Sequence, residues 1–207
     1  MSRTRILLVA ACVVLAGAAA VLAWRSTLAP ARGGAVGSSG VAAVGGPFNL
    51  VDQDGKPQTE AMLKGKWTAV FFGFTYCPDV CPTTLQALAQ AQDRLGPKAK
   101  DLQVLFVSVD PARDSPAQLK AYLSSPVFPK GTRGLTGTPE QVAGAAKAYR
   151  AYFQKEGEGA DYVVNHSSAI YLMNPKGQFD RVLAYGLTPE EIARQVSEAM
   201  RQGAAAS

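Results

Sequence analysis

Two nearly unbroken apolar runs constrain the fold more than any other feature of the chain: Trp67 to Phe74 (WTAVFFGF) and Leu102 to Val109 (LQVLFVSV). A strand wetted on one face alternates apolar and polar side chains, so runs of this kind predict strands covered on both faces. Between them, Pro82 is placed for an early helical turn, and Leu85, Leu88 and Leu95 recur on one face. Strand, helix, strand with both strands buried predicts a parallel α/β core.

The remaining elements are expected to complete that core. FNLVDQDG followed by KPQ predicts a short strand and a polar turn. Asp110 and Pro111 end the second buried run, ahead of a helix carrying Leu119, Tyr122 and Leu123. Thr138 and Pro139 begin another, with Val142, Ala146 and Tyr149 on one face. Ala169 to Met173 and Phe179 to Ala184 read as strands joined by the turn Asn174-Pro175-Lys176-Gly177, and a last helix from Thr188 and Pro189 is expected to bury Ile192, Val196 and Met200. The expectation is a four-stranded central sheet with flanking helices over residues 46–202, and a flexible tail over 203–207.

Ahead of this domain, Ile6 to Trp24 forms 19 uncharged, almost wholly apolar residues between Arg5 and Arg25. That length suits one transmembrane helix, so residues 1–25 are expected to be an N-terminal membrane anchor, with the domain on the far side of the membrane from a cytoplasmic N-terminus. A signal peptide is the competing reading, because Ala18 to Ala20 offers small residues to a peptidase. Cys12, inside the apolar run, reads as a small membrane-helix residue. Residues 26–45, rich in Gly, Ala and Ser, read as a flexible linker. The net charge of +5 argues little for a nucleic-acid partner, since Arg3, Arg5, Arg25 and Arg32 carry four of those charges before the domain begins.

The chemistry concentrates at Cys77 and Cys81 in TYCPDVCPTT, at the junction of the first buried strand and its helix, with the only histidine, His166, far along the chain. Cysteines four apart on a first helical turn can point to one side. A helix N-terminus favours thiolate, which is both the nucleophile and the metal ligand. Three uses compete: a structural disulfide, a dithiol redox couple and a metal site. Soft thiolates with an imidazole suit Cu(I), while a catalytic zinc site would also accept three protein ligands. Asp79 reads as a helix-start residue, and Asn165, Ser167 and Ser168 as residues that orient the His166 ring, which is expected on a loop before a strand. Among nearby aromatics, Phe72, Phe74, Tyr162 and Tyr171 read as core and Tyr76 as partly exposed. The charged turn Asp110, Arg113 and Asp114 reads as structural, with Asp114 or Ser115 capping the next helix.

From about residue 46 to residue 201 the chain resembles the SCO/SenC family of copper chaperones. The resemblance is carried by GFTYCPDVCPTT at 73–84, VSVDPARD at 107–114, GLTGT at 134–138 and VNHSSAIYLMNPKG at 164–177, in that order. It implies a thioredoxin-like fold tethered to a membrane, with Cys77 and Cys81 as paired copper thiolates and His166 as the imidazole ligand of Cu(I) or Cu(II). It also implies delivery of copper to the binuclear copper centre of cytochrome c oxidase, with that copper-centre subunit as partner. Other copper chaperones or thiol reductants, and the bacterial inner membrane facing the periplasm, follow from the same resemblance. The alternative it leaves open is a periplasmic thiol-disulfide oxidoreductase, with Cys77 and Cys81 as a redox pair reducing the acceptor's cysteines. Asn165 stands where some relatives carry Asp, which changes the charge beside the imidazole.

Overall fold

A computed structural model describes residues 44–159 and 161–205. The strands are β1 Asn49–Asp52, β2 Pro57–Thr59, β3 Trp67–Gly73, β4 Leu102–Ser108, β5 Arg133–Thr136, β6 Phe153–Glu156, β7 Val163–His166, β8 Ile170–Met173 and β9 Phe179–Leu183. The helices are α1 Val80–Leu95, α2 Pro116–Leu123, α3 Pro139–Tyr149 and α4 Pro189–Ala205.

The two apolar runs are the centre of the sheet. β3 pairs with β4 in parallel from Trp67↔Leu102 to Gly73↔Ser108, and Val109 N–H extends the ladder to Gly73 C=O at 2.8 Å. Because side chains alternate across a strand, Trp67, Ala69 and Phe71 enter one core layer with Leu85 and Leu88 of α1 and Val196 of α4. Val70, Phe72 and Phe74 enter the other, with Val142 and Tyr149 of α3. Both faces are covered, which is why these strands carry almost no polar side chains.

The sheet is larger than the four strands expected. It has seven, in the order β2-β1-β5-β4-β3-β8-β9, with β3–β4 and β4–β5 parallel and the other pairings antiparallel. The unforeseen β5 is short, and Gly134 sits within it because Leu119 Cβ lies 3.2 Å from where a Cβ would stand. β6 and β7 form a separate antiparallel hairpin, with Phe153 opposite His166. Their mostly exposed residues carry no buried-strand signature.

Two boundaries also move. The last helix runs to Ala205, beyond residue 202 where a tail was expected. Gly45, placed in the linker, donates its N–H to Ala148 C=O at 2.9 Å. Among the described residues no helix is long and apolar enough to cross a membrane; the apolar run 6–24 and Cys12 lie outside them.

Candidate metal centre

At the carboxyl end of β3 the chain turns sharply into α1, with Cys77 N–H donating to Phe74 C=O at 3.2 Å. The turn is anchored from the loop that follows β4. The buried Asp114 carboxylate accepts from Thr75 N–H at 3.1 Å, Thr75 Oγ1 at 2.6 Å and Ser108 Oγ at 2.6 Å. Asp114 therefore braces the cysteine loop; the cap of α2 is Ser115, whose Oγ accepts from Gln118 N–H at 3.2 Å. Burial pushes the Asp114 carboxyl up, against the hydrogen bonds from Ser108 and Thr75.

Asp79 occupies the N-cap of α1 without a side-chain cap bond, so its carboxylate leaves the first amides free. Cys77 Sγ takes one of them, accepting from Cys81 N–H at 3.4 Å. Its pKa falls to about 4, first through the hydrogen bond from the Cys81 thiol, with His166 and two backbone amides adding to the effect and burial opposing it. The Cys81 thiol moves the other way, far above the ordinary thiol range, because it donates to Cys77 and is buried. One sulfur is thus a half-buried thiolate and its neighbour a buried, protonated thiol, and the two are unbridged.

Gly73 makes the room for this. A Cβ there would lie 2.6 Å from Cys81 Sγ and 2.8 Å from Phe106 Cε2, so the backbone of β3 is the wall against which Cys81 rests. A glycine interrupting a buried strand is the sequence signal of such a close approach.

His166 is the last residue of β7, not a loop residue, because its strand pairs with β6. Its Nδ1 lies 3.0 Å from Ser167 C=O. A carbonyl can only accept, so Nδ1 carries a proton, and Nε2 is the ring nitrogen that faces Cys81 Sγ, at 3.5 Å. The ring stands edge-on to Phe74 at 5.7 Å and near Phe71 at 6.1 Å. Ser167 thus orients the ring as expected, though through its carbonyl; its Oγ accepts from Tyr152 N–H at 2.8 Å. Asn165 is exposed and Ser168 half-buried. Tyr76 is 56% exposed, while Phe72, Phe74 and Tyr171 are buried and Tyr162 is half-buried.

The ligand atoms of Cys77, Cys81 and His166 all lie within 4.8 Å of one another, and Asp79 is not in that group. Two sulfurs and one imidazole nitrogen form a low-coordinate, soft donor set that fits copper, and among the described residues no further Cys, His, Asp or Glu joins it to complete a four-coordinate zinc site.

An α/β domain that gathers two thiols and one imidazole at the carboxyl end of its central strands is a metal- or thiol-handling module. The SCO1/SenC family model matches residues 36–201, and the chain belongs to that family. It is 42% identical over 167 residues to the mitochondrial SCO1 homolog 1 of Arabidopsis thaliana, covering 80% of this chain and 49% of that one. The chain thus spans about half the length of the Arabidopsis relative. The structure of Bradyrhizobium japonicum ScoI with copper bound shares 43% identity at a TM-score of 0.69, covering 76% of this chain and 99% of that one. BsSco, described as a member of the Sco family of cytochrome c oxidase assembly proteins, shares 29% identity at a TM-score of 0.62, covering 77% and 93%. The mixed sheet with flanking helices matches these structures.

Proposed function

We propose that this chain is a copper chaperone that carries copper on Cys77, Cys81 and His166 and delivers it to the binuclear copper centre of cytochrome c oxidase. The convergence of the three donors within 4.8 Å carries this reading, and copper bound to the ScoI relative supports the choice of ion. In this reading residues 6–24 anchor the chain in a bacterial inner membrane, 26–45 tether it, and the domain works in the periplasm.

The residues divide the work. Cys77, half-exposed and deprotonated, meets incoming copper first. Cys81 loses its proton on binding, because a metal ligates thiolate and releases the proton. His166 offers Nε2 as the third donor. Handover to an acceptor then begins at the exposed Cys77 side, where an incoming thiolate shares the ion before Cys81 and His166 let go.

The opposite states of the two thiols also favour a second reading, reduction of the acceptor's disulfide. The Cys77 thiolate would attack one acceptor sulfur and expel the other as thiolate. Cys81, giving up its proton, would then attack Cys77, releasing the acceptor dithiol and leaving a Cys77–Cys81 disulfide for an external thiol to reopen.

The deciding experiment is Cu(I) titration of the reduced full-length chain in detergent, beside His166→Ala, with free thiols counted. Chaperone function requires one copper per chain, protection of both thiols, and weaker binding in the variant. No specific copper binding rejects it and leaves the thiol-exchange reading.

A further inference from the structure

His166 reaches the thiols from a hairpin that shares no ladder with the main sheet among the described residues. Something must hold that hairpin against the cysteine loop. Resting on the copper reading of the site, we infer that Arg113 is a positioning residue that clamps the His166 hairpin over Cys77 and so sets the strength of the imidazole's contribution to copper binding.

Arg113 lies in the loop after β4, and its side chain is only 16% exposed. Its Nε pairs with Asp110 Oδ2 at 2.5 Å. Its Nη1 donates to Tyr162 C=O at 3.0 Å, immediately before β7 begins. The guanidinium carbon sits 3.6 Å from the Tyr162 ring centroid, 4.9 Å from that of Tyr76 and 5.7 Å from that of Phe74. Tyr162 closes the loop by donating its hydroxyl to Asp110 Oδ1 at 2.5 Å. Lys155 of β6 places Nζ 3.8 Å from the same ring centroid.

Each contact ties a different piece. Tyr76 precedes Cys77, Phe74 packs edge-on to the His166 ring, and Tyr162 lies four residues before His166. One planar cation therefore links the segment bearing the first thiol, the loop after β4 and the strand bearing the imidazole. Lysine could not substitute: it has no second nitrogen in a rigid fork to hold Asp110 and Tyr162 C=O together while stacking on a ring. Groups that orient a ligand without touching the ion commonly shift metal affinity about 10- to 100-fold when removed.

The test has two readouts on the full-length chain in detergent. The chain has one histidine, so selective ¹⁵N-histidine labelling reports His166 alone in the copper-free protein. Arg113→Ala and Arg113→Lys are expected to broaden or shift its imidazole resonances and speed exchange of the Nδ1 proton. Cu(I) affinity, by competition with bicinchoninate, is expected to fall about 10- to 100-fold in Arg113→Ala. In a His166→Ala background the same change is expected to stay within about twofold.

An equal loss in both backgrounds, or none in either with unchanged imidazole signals, overturns the clamp. Should His166→Ala bind copper as well as the unaltered chain, the copper reading fails instead, and the imidazole spectrum alone decides whether Arg113 positions the ring. If Arg113→Ala does not fold by circular dichroism, Tyr162→Phe replaces it. That variant loses only the hydroxyl bond to Asp110 and is expected to show the same background dependence at smaller amplitude.

Discussion

Replacing Gly73 with alanine tests the link between packing and site. The added methyl would stand 2.6 Å from Cys81 Sγ and 2.8 Å from Phe106 Cε2, both on fully buried side chains. Ordinary contact needs about 3.5 Å or more, so Cys81, Phe106 or β3 itself must give by about 1 Å. Phe106 is held between Phe71 and Tyr122, at 6.0 and 5.8 Å between centroids, which directs much of the strain to the thiol. Overpacking of this size costs about 1–3 kcal/mol. The displacement also exceeds the tolerance of about 0.5 Å within which a ligand set must be held.

Denaturant unfolding followed by circular dichroism should therefore show Gly73→Ala losing that amount, and chelator competition should show weaker copper retention. Gly144→Ala is the control, since Gly144 is exposed on α3 with open space around it. It is expected to gain about 0.5–1 kcal/mol from helix propensity and leave copper retention unchanged. A Gly73→Ala protein as stable as the original, retaining copper equally well, would refute the reasoning.

Other outcomes follow from the same geometry. In the reduced, metal-free chain, alkylation of Cys77 should rise with pH about a midpoint near 4, because the lowered pKa leaves thiolate above it, while Cys81 stays unreactive until unfolding; a Cys77 midpoint near the ordinary 9.0 would contradict this. Asp114→Ala strands the buried Ser108 hydroxyl, at about 1–3 kcal/mol for a buried donor left unsatisfied, and releases the half-buried Thr75 amide and hydroxyl, so a loss below about 0.5 kcal/mol in denaturant unfolding would dismiss its bracing role. Leu88→Ala, emptying a fully buried position on α1, should cost about 2–5 kcal/mol by the same measurement and leave the copper stoichiometry of the folded protein intact.

The sequence carries its core elements openly. Trp67 to Gly73 and Leu102 to Ser108 are apolar because both faces are covered, and that cause can be read without coordinates. The helices carry Leu, Ala and Val at helical spacing, and the cap at Thr138 forms as its residue types predict, with Gln141 completing a capping box. Short pieces were invisible for the converse reason. Arg133–Thr136, Phe153–Glu156 and Val163–His166 are four residues each; the first takes its strand state from the distant β1 and β4, and the other two from each other across a short loop. At the site, residue types named the two thiols and the imidazole as candidates. What the sequence could not convey was which groups lie beside them: a bare backbone at Gly73, a buried carboxylate at Asp114, and the carbonyl of Ser167 that fixes the ring's proton.

That His166 ends a hairpin paired, among the described residues, only with itself separates two energies that a single sheet would fuse. Parting β6–β7 from the body would break no rung of the seven-stranded ladder, so what holds the third donor is the packing of Val164, Phe153 and Tyr162 and the side-chain bonds around Arg113, while β3, β4 and α1 hold both sulfurs. Changes in the hairpin's packing should therefore act on the position of the imidazole more than on the sheet, and changes in the sheet on the stability of the whole.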